Sequence, residues 1–420
     1  MKKLFAMLLS LMLMLSLMGS AFAAQPTTIT VACWDLIKTP YYNSTKAAFE
    51  AANPGVTVEY IDLASQDYNI KLGTMLAGGD TTDVIYIKEL SDLTNFSAQG
   101  FVENLDERIK ASEKIDLSKY VGMDLCYTDV NGSYFALPCR ADFWVLFFNK
   151  TLFDNAGVAY PNNDMTWEEY KQLAIQMTSG EGDSKVWGTH YHTWLSAAVN
   201  WAVCDGVNTL TDGEYSDLAY FYQIVQDLED AGVCMEYSEI KAASLHYSGA
   251  FAKGNIAMLP MGYWFASTLI GFIKDGTANF DWGIAAVPHL ENVPAGSSFG
   301  SPTGVAVNKN AVNKDLAWQF VEFLCSEEGA KAFASTGTRP AYVSEEIAAA
   351  MSSVEGFPKD DGSLAALLPT AMALEFPNVP EAKEIKTIVN EEHTSIMVRD
   401  ISIEEGIQNM NARVAEVLGK

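Results

Sequence analysis

Short apolar runs alternate with amphipathic stretches from the start of the mature chain. Thr28 to Asp35 (TITVACWD) has the pattern of a buried strand, and Lys38 to Ala52 repeats apolar residues at helical spacing until Asn53-Pro54-Gly55. Val56 to Ile61 (VTVEYI) predicts a second strand, Gln66 to Gly79 a helix closed by Gly78-Gly79, and Asp83 to Ile87 (DVIYI) a third strand, apolar on both faces. Strand and helix in alternation make βαβ units and a mostly parallel sheet. Further on, Asn131-Gly132 predicts a hairpin turn, and Asp142 to Asn149 (DFWVLFFN) a long apolar strand. Thr166 and Glu169 have the spacing of a capping box. VWGTHYH predicts a strand, Asp212 to Gly232 a long helix, and GNIAMLP, DWGIAAVP and TGVAVNK three more short strands. Two helices precede Pro340, and the chain after it reads as helical, interrupted around Gly356 to Gly362 and Pro377 to Pro380.

The first residues belong to a different pattern. Lys2 and Lys3 precede an apolar run from Leu4 to Met18, too short for a comfortable membrane span, and Ala21-Phe22-Ala23 forms an A-x-A site. Residues 1–23 are therefore expected to be a secretory signal peptide. Leu17-Met18-Gly19-Ser20 has the shape of a lipoprotein box with Ser20 where an acylated Cys would stand, so the exported chain is expected to carry no lipid anchor. What remains is long enough for two lobes.

Removing Lys2 and Lys3 with the leader takes the formal net charge from −26 to −28, a surface that repels nucleic acid and anionic lipid. An apolar content of 49% argues against disorder. The six cysteines are scattered without a C-x-x-C. Cys126 and Cys139, flanking the Asn131-Gly132 turn, are the most plausible local disulfide, with buried free thiols as the alternative.

Several enzyme signatures fail on context. Gly296 to Gly300 matches G-x-S-x-G, but a nucleophile elbow needs a strand before and a helix after it, and prolines flank this one. Gly249 to Gly254 begins like a phosphate-binding loop but continues with Asn255-Ile256 instead of Lys-Ser/Thr. His190 and His192 lack a visible third metal ligand. No metal or cofactor is expected.

Five pieces in order, YYNSTKAAFEAANPGVTVEYI, LGTMLAGGDTTDVIYI, YFALPCRADFWVLFFNKTLFDNAGVAYPNNDMTWEEYKQLA, GAFAKGNIAMLPMGYW and TGVAVNKNAVNKDLAWQFVEFLCSEEGAKAFASTGTRPA, resemble extracellular solute-binding proteins of carbohydrate ABC importers, the broad group of maltose-binding protein. The resemblance covers essentially the whole mature chain. It implies two discontinuous α/β lobes with a hinge and a ligand cleft between them. The chain would cross near Asp142, Phe280 and Pro340, giving 24–140 with 280–335 as one lobe and 141–279 with 336–420 as the other. It also implies an exported, non-enzymatic monomer, periplasmic or at the outer face of the cell membrane, that passes a mono- or oligosaccharide to membrane permease subunits. A secreted glycoside hydrolase would need more strands or fewer long helices than this pattern offers. A sugar-sensing partner of a membrane kinase would share the same fold.

Sugars present hydroxyl edges and weakly apolar C–H faces, so their sites combine flat aromatic platforms with planar polar groups. Trp264, with Tyr263, follows the GNIAMLPMG stretch at a strand end, the place of a ring in the family motif; packing on the core is the alternative. Trp34 and Asp35 close the first strand, where open α/β sheets bind ligands. Asp83 is a further candidate, although a turn or cap explains it as well. Gln66 and Asp67 precede a helix, Asp67 as its N-cap. Arg140 and Asp142 at the crossing either face the cleft or pair structurally. Trp194 and Trp201 stand seven apart on one expected helix face, a core stripe whose first member is the better ligand candidate. Phe299 and Ser301 flank Gly300 where the family has a glycine-rich loop near ligand, and Arg339 either reaches the cleft or meets the acidic surface.

Overall fold

The computed structural model describes residues 27–120, 132–300, 302–342, 344–374, 376 and 379–420. The expected signal peptide, Ser20, Cys126, Asn131 and Ser301 lie outside the described residues. The first five strands are β1 (Thr27–Trp34), β2 (Val56–Leu63), β3 (Val84–Ile87), β4 (Leu137–Ala141) and β5 (Trp144–Asn149). The next six are β6 (Trp187–Thr189), β7 (Ile256–Gly262), β8 (Trp282–Ala286), β9 (Ser297–Gly300), β10 (Pro302–Val307) and β11 (Ala371–Leu374).

Two sheets carry the architecture. The first has the order β2-β1-β3-β10-β4, with β1 parallel to β2 and β3, and β10 antiparallel to β3 and β4. The second has the order β6-β7-β5-β8, with β5 antiparallel to both neighbours. Strands β9 and β11 form a separate parallel pair. Every residue of β3, β5, β7 and β8 is buried, as continuous apolar runs require when helices cover both faces. Each sheet has its own hydrophobic core, one built around Ile85, Phe320 and Val321, the other around Phe147, Met258 and Phe265.

Local chemistry explains where the helices begin and end. The helix Pro40–Ala52 starts with Pro in its first turn, and Gly55, at φ 91°, turns the chain into β2. The helix Trp167–Met177 opens with the capping box: Thr166 Oγ1 accepts from the Glu169 N–H, and Glu169 Oε2 accepts from the Thr166 N–H. Asp67 holds the N-cap position of Tyr68–Ala77, but its side chain makes no cap bond and instead lies 3.2 Å from Lys71.

Among the described residues three connections join the two cores, and they lie together. The first is Asp142-Phe143, between β4 and β5. The second falls between Gly300 and Pro302. The sequence reading placed it near Phe280, but β8 pairs with β5 and Ile284 belongs to the second core. A short apolar strand does not reveal which sheet it joins. The third passes Pro340, which bridges to Arg140, and Ala341 N–H donates to the Cys139 carbonyl at 3.1 Å. Other elements also differ from the pattern. The helix expected from Asp212 begins at Leu218, β11 lies in a stretch read as helical, and Trp194 and Trp201 share no continuous helix, since Leu195–Ala198 is one turn followed by a 3-10 segment.

The first two connections touch backbone to backbone. A Cβ on Gly300 would stand 2.1 Å from the Asp142 carbonyl oxygen and 3.1 Å from Phe143 Cα. Both neighbours are main chain, so neither can rotate away. Gly300→Ala is expected to lower folding stability by about 1–3 kcal/mol, read as a lower urea midpoint at unchanged slope.

Candidate functional site

A cleft of about 360 Å³ opens between the two cores beside the three connections. Its first-sheet wall comes from the carboxyl ends of neighbouring parallel strands. Trp34 ends β1 and Lys88 follows β3, with Asp35, Tyr41 and Glu89 beside them. The facing wall carries Trp194, His246, Tyr247 and Trp264. Arg140, Asp142, Trp144 and Thr303 line the cleft at the connections.

The rings form a continuous set. Trp264 meets Trp144 edge to face at 5.4 Å and Trp194 at 6.4 Å, and its Nε1 donates to the Tyr247 hydroxyl at 3.0 Å. Gly262 makes this placement possible, because a Cβ there would stand 2.0 Å from the Trp264 ring. Trp34, only 8% exposed, rests on Tyr68 at 4.8 Å with Lys88 Nζ 5.5 Å from its centroid. Asp35 sits in the left-handed region at φ 51°, sparsely populated by residues other than glycine and often found at functional sites.

The charged groups are mostly paired. Arg140 Nε lies 2.6 Å from Asp142 Oδ2, and Arg140 Nη2 donates to Thr303 Oγ1 at 3.0 Å. Burial raises the Asp142 carboxyl above its ordinary pKa, against the opposing pull of Arg140 and Arg339. Lys386, on the helix Ala382–Met397 of the second core, meets Glu89 at 2.7 Å, and Lys383 of the same helix meets Asp92 at 2.9 Å. Asp92 lies on Leu90–Ala98, whose Leu93 and Phe96 belong to the first core, so these two ion pairs span the cores.

The structure sorts the candidates read from the sequence. Trp34, Asp35, Arg140, Asp142, Trp194 and Trp264 line the cleft together. Four others do not. Asp83 accepts from the Thr30 N–H and hydroxyl at 2.9 and 3.0 Å, tying β1 to the start of β3. Tyr263, fully buried, stacks on Phe143 at 5.6 Å, because consecutive residues at a helix start point to different sides. Phe299, also fully buried, packs against Trp144 and Trp201. Arg339 places its guanidinium 4.8 Å from the Phe143 ring centroid, behind the cleft. Trp201 is a core residue. Lys88 and Glu89 were missed, although they follow β3 just as Trp34 and Asp35 end β1, and the same strand-end argument finds them. Tyr41, Trp144, His246 and Tyr247 gave no such signal, because only the fold brings them to the cleft.

The rejected enzyme motifs have structural explanations. Ser298 Oγ is buried, accepting from the Trp144 N–H at 3.0 Å and donating to the Trp144 carbonyl at 2.8 Å, which engages it as a strap and not as a nucleophile. Among the described residues no three His, Cys, Asp or Glu side chains gather as a metal site. The five described cysteines are free thiols, and Cys139 donates to the Thr303 carbonyl at 3.2 Å. None of the described helices is long and apolar enough to cross a membrane.

Two α/β cores, three adjacent connections and an aromatic cleft between them define a two-lobed binding protein. The chain belongs to the family of bacterial extracellular solute-binding proteins, whose model matches residues 36–331. A sugar transporter from Rhizobium etli, solved in an open conformation, is 38% identical, with 92% of this chain and 99% of that one covered and a TM-score of 0.76. An ABC substrate-binding protein from Listeria monocytogenes in complex with cycloalternan is 23% identical, covering 94% of this chain and 99% of that one at a TM-score of 0.80. A lactose-binding protein of Rhizobium radiobacter is 22% identical over 326 residues, 74% of this chain and 72% of that protein.

Buried histidines around the second core give the protein a defined acid limit. Burial lowers His190 to about 4, and His192 and His393 to about 3. Above the ordinary value near 6.5 both folded and unfolded states hold them neutral, so they contribute no pH dependence. Below it the unfolded chain takes up protons that the folded one refuses, and stability falls by up to about 1.4 kcal/mol per pH unit for each histidine. Urea unfolding at pH 7.5, 6 and 5 should show this decline, and His393→Gln should flatten the slope by one histidine's share.

Proposed function

We propose that this protein captures a sugar between its two lobes and presents it to the permease of an ABC importer. The observation that carries this reading is the ring-lined cleft, with Trp34 on one wall, Trp194 and Trp264 on the other, and a buried Arg140–Asp142 pair between them. Rings suit the C–H faces of a pyranose, and the charged pair suits hydroxyl edges. Membership of the family and the 38% identical sugar transporter support the same reading. In it Trp264 is the principal platform, Trp34 and Trp194 are further platforms, and Asp35, Arg140, Asp142 and Tyr247 are hydrogen-bonding partners.

The protein acts as a binder and returns its ligand unchanged. It works outside the cytoplasm as a monomer, with residues 1–23 removed and, with Ser20 in place of an acylated Cys, without lipid. Its acidity excludes nucleic acid as a partner. Calorimetry against an oligosaccharide library should find a ligand that is recovered intact. Small-angle scattering should show a smaller radius at saturation, and an unchanged radius would count against closure of the lobes.

Trp264→Ala is expected to weaken that ligand by more than about 2 kcal/mol, roughly thirtyfold, while the protein still unfolds cooperatively. Tyr263→Ala, in the core one residue away, should instead cost about 3–5 kcal/mol of folding stability. Calorimetry and urea denaturation on both variants separate the two roles. A reversed pattern would return Trp264 to the core.

A further inference from the structure

The cleft has a charge balance opposite to that of the protein. Acids outnumber bases 53 to 27 along the chain, yet the cleft is lined by four bases and three acids. Three of the bases have an acid of their own: Lys38 with Asp35 at 3.9 Å, Arg140 with Asp142 at 2.6 Å and Lys386 with Glu89 at 2.7 Å. Lys88 is the base left without a carboxylate partner among the described residues. Its ammonium donates to the Ser65 carbonyl at 2.7 Å and to Ser65 Oγ at 3.0 Å, which uses two of three donors. Burial pulls its pKa below the usual lysine value, although Glu89, Asp35 and Asp92 oppose the shift from beyond ion-pair distance.

A buried ammonium with no carboxylate in contact is unfavourable, and a ligand that supplies that contact gains what the empty site lacks. A sugar hydroxyl can take the remaining hydrogen bond but brings no opposite charge into contact. A carboxylate does both, through a charge-assisted bond about twice as strong as a neutral one. The position suits a sugar substituent, since Lys88 and Trp34 emerge side by side from paired parallel strands. We propose that the captured sugar bears one carboxylate, as a uronic acid residue does, and that Lys88 is the residue that selects it. A single charge fits, because one base is in excess, whereas a polyanion would meet the field of a strongly acidic protein.

This inference rests on sugar capture, and the experiment separates the two. Xylo-oligosaccharides with one glucuronic acid branch, and short galacturonic acid oligomers, are compared by calorimetry with their carboxyl-reduced counterparts and with neutral gluco- and galacto-oligosaccharides. The expected result is an acidic sugar bound at least about tenfold tighter than its reduced form, with the preference shrinking as salt rises. Lys88→Met should abolish the preference by weakening the acidic sugar much more than its reduced form. Equal binding of both forms, tighter binding of the reduced form, or a preference that survives Lys88→Met would overturn the inference and leave sugar capture standing. Failure of every acidic and neutral sugar to bind would count against sugar capture and this inference together. If Lys88→Met melts early, Lys88→Gln replaces it, and the wild-type comparison decides the preference without any variant.

Discussion

The contact between Gly300 and the backbone at Asp142-Phe143 is the constraint from which the rest of the molecule can be understood. Two strands can leave one sheet for the other side by side only if one of them presents no side chain at the point of contact, and Gly300 meets that condition. The neighbours on either side then fall into place. Ser298 is tied to both main-chain groups of Trp144, and Phe299 packs between Trp144 and Trp201. Arg140 and Asp142 pair where β4 gives way to β5. The residues that let the chain pass between the lobes are therefore also the residues that line the cleft. A ligand resting on Arg140, Asp142 or Trp144 touches the connection itself, so binding and lobe movement share atoms.

The second wall follows a similar logic on a smaller scale. Strand β7 is buried throughout and ends at Gly262, where the missing side chain gives Trp264 its seat. Tyr247 receives the indole N–H, and the imidazoles of His192 and His246 lie against Tyr247 at 5.3 and 4.2 Å. Both histidines are held well below their usual pKa, chiefly by burial, so this corner behaves as an aromatic cluster and adds no positive charge near neutrality. Positive charge in the cleft is left to lysine and arginine.

Much of this was legible in the sequence, and the remainder had physical reasons for being hidden. The sequence pattern located β1, β2, β3, β5, β6, β7, β8 and β10, most of them because buried strands are apolar in themselves and β2 because its apolar residues alternate along an edge strand. It missed β9, whose residues are SSFG, and β11, whose AMAL suits a helix equally well. Trp34 and Asp35 were found because a strand end is a local feature. Tyr263 was placed in the cleft and belongs to the core, because which of two adjacent rings faces the ligand is settled by a helix start that composition does not specify. Asp83 looked functional as an acid beside a strand, but Thr30, fifty-three positions earlier, is the partner that explains it. The cleft's charge balance was hidden for the same reason, since Lys386 and Glu89 meet only in the folded chain.

The ion pairs Lys383–Asp92 and Lys386–Glu89 have a thermodynamic consequence. Each joins a helix of one core to the edge of the other, and Asp92 keeps only 4% of its side-chain surface exposed. Separating the lobes along the cleft must break both pairs. The Lys386–Glu89 pair, which holds the Glu89 carboxyl below its ordinary pKa against its burial, supplies part of the free energy of closure, whereas at Asp92 burial outweighs Lys383. A ligand then has only the remainder to provide, and its apparent affinity depends on how often the empty protein already visits the closed state. Dissolved salt acts on that population through two lysines at the edge of the cleft, and thereby acts as an antagonist of a ligand it does not resemble and whose contacts it does not share.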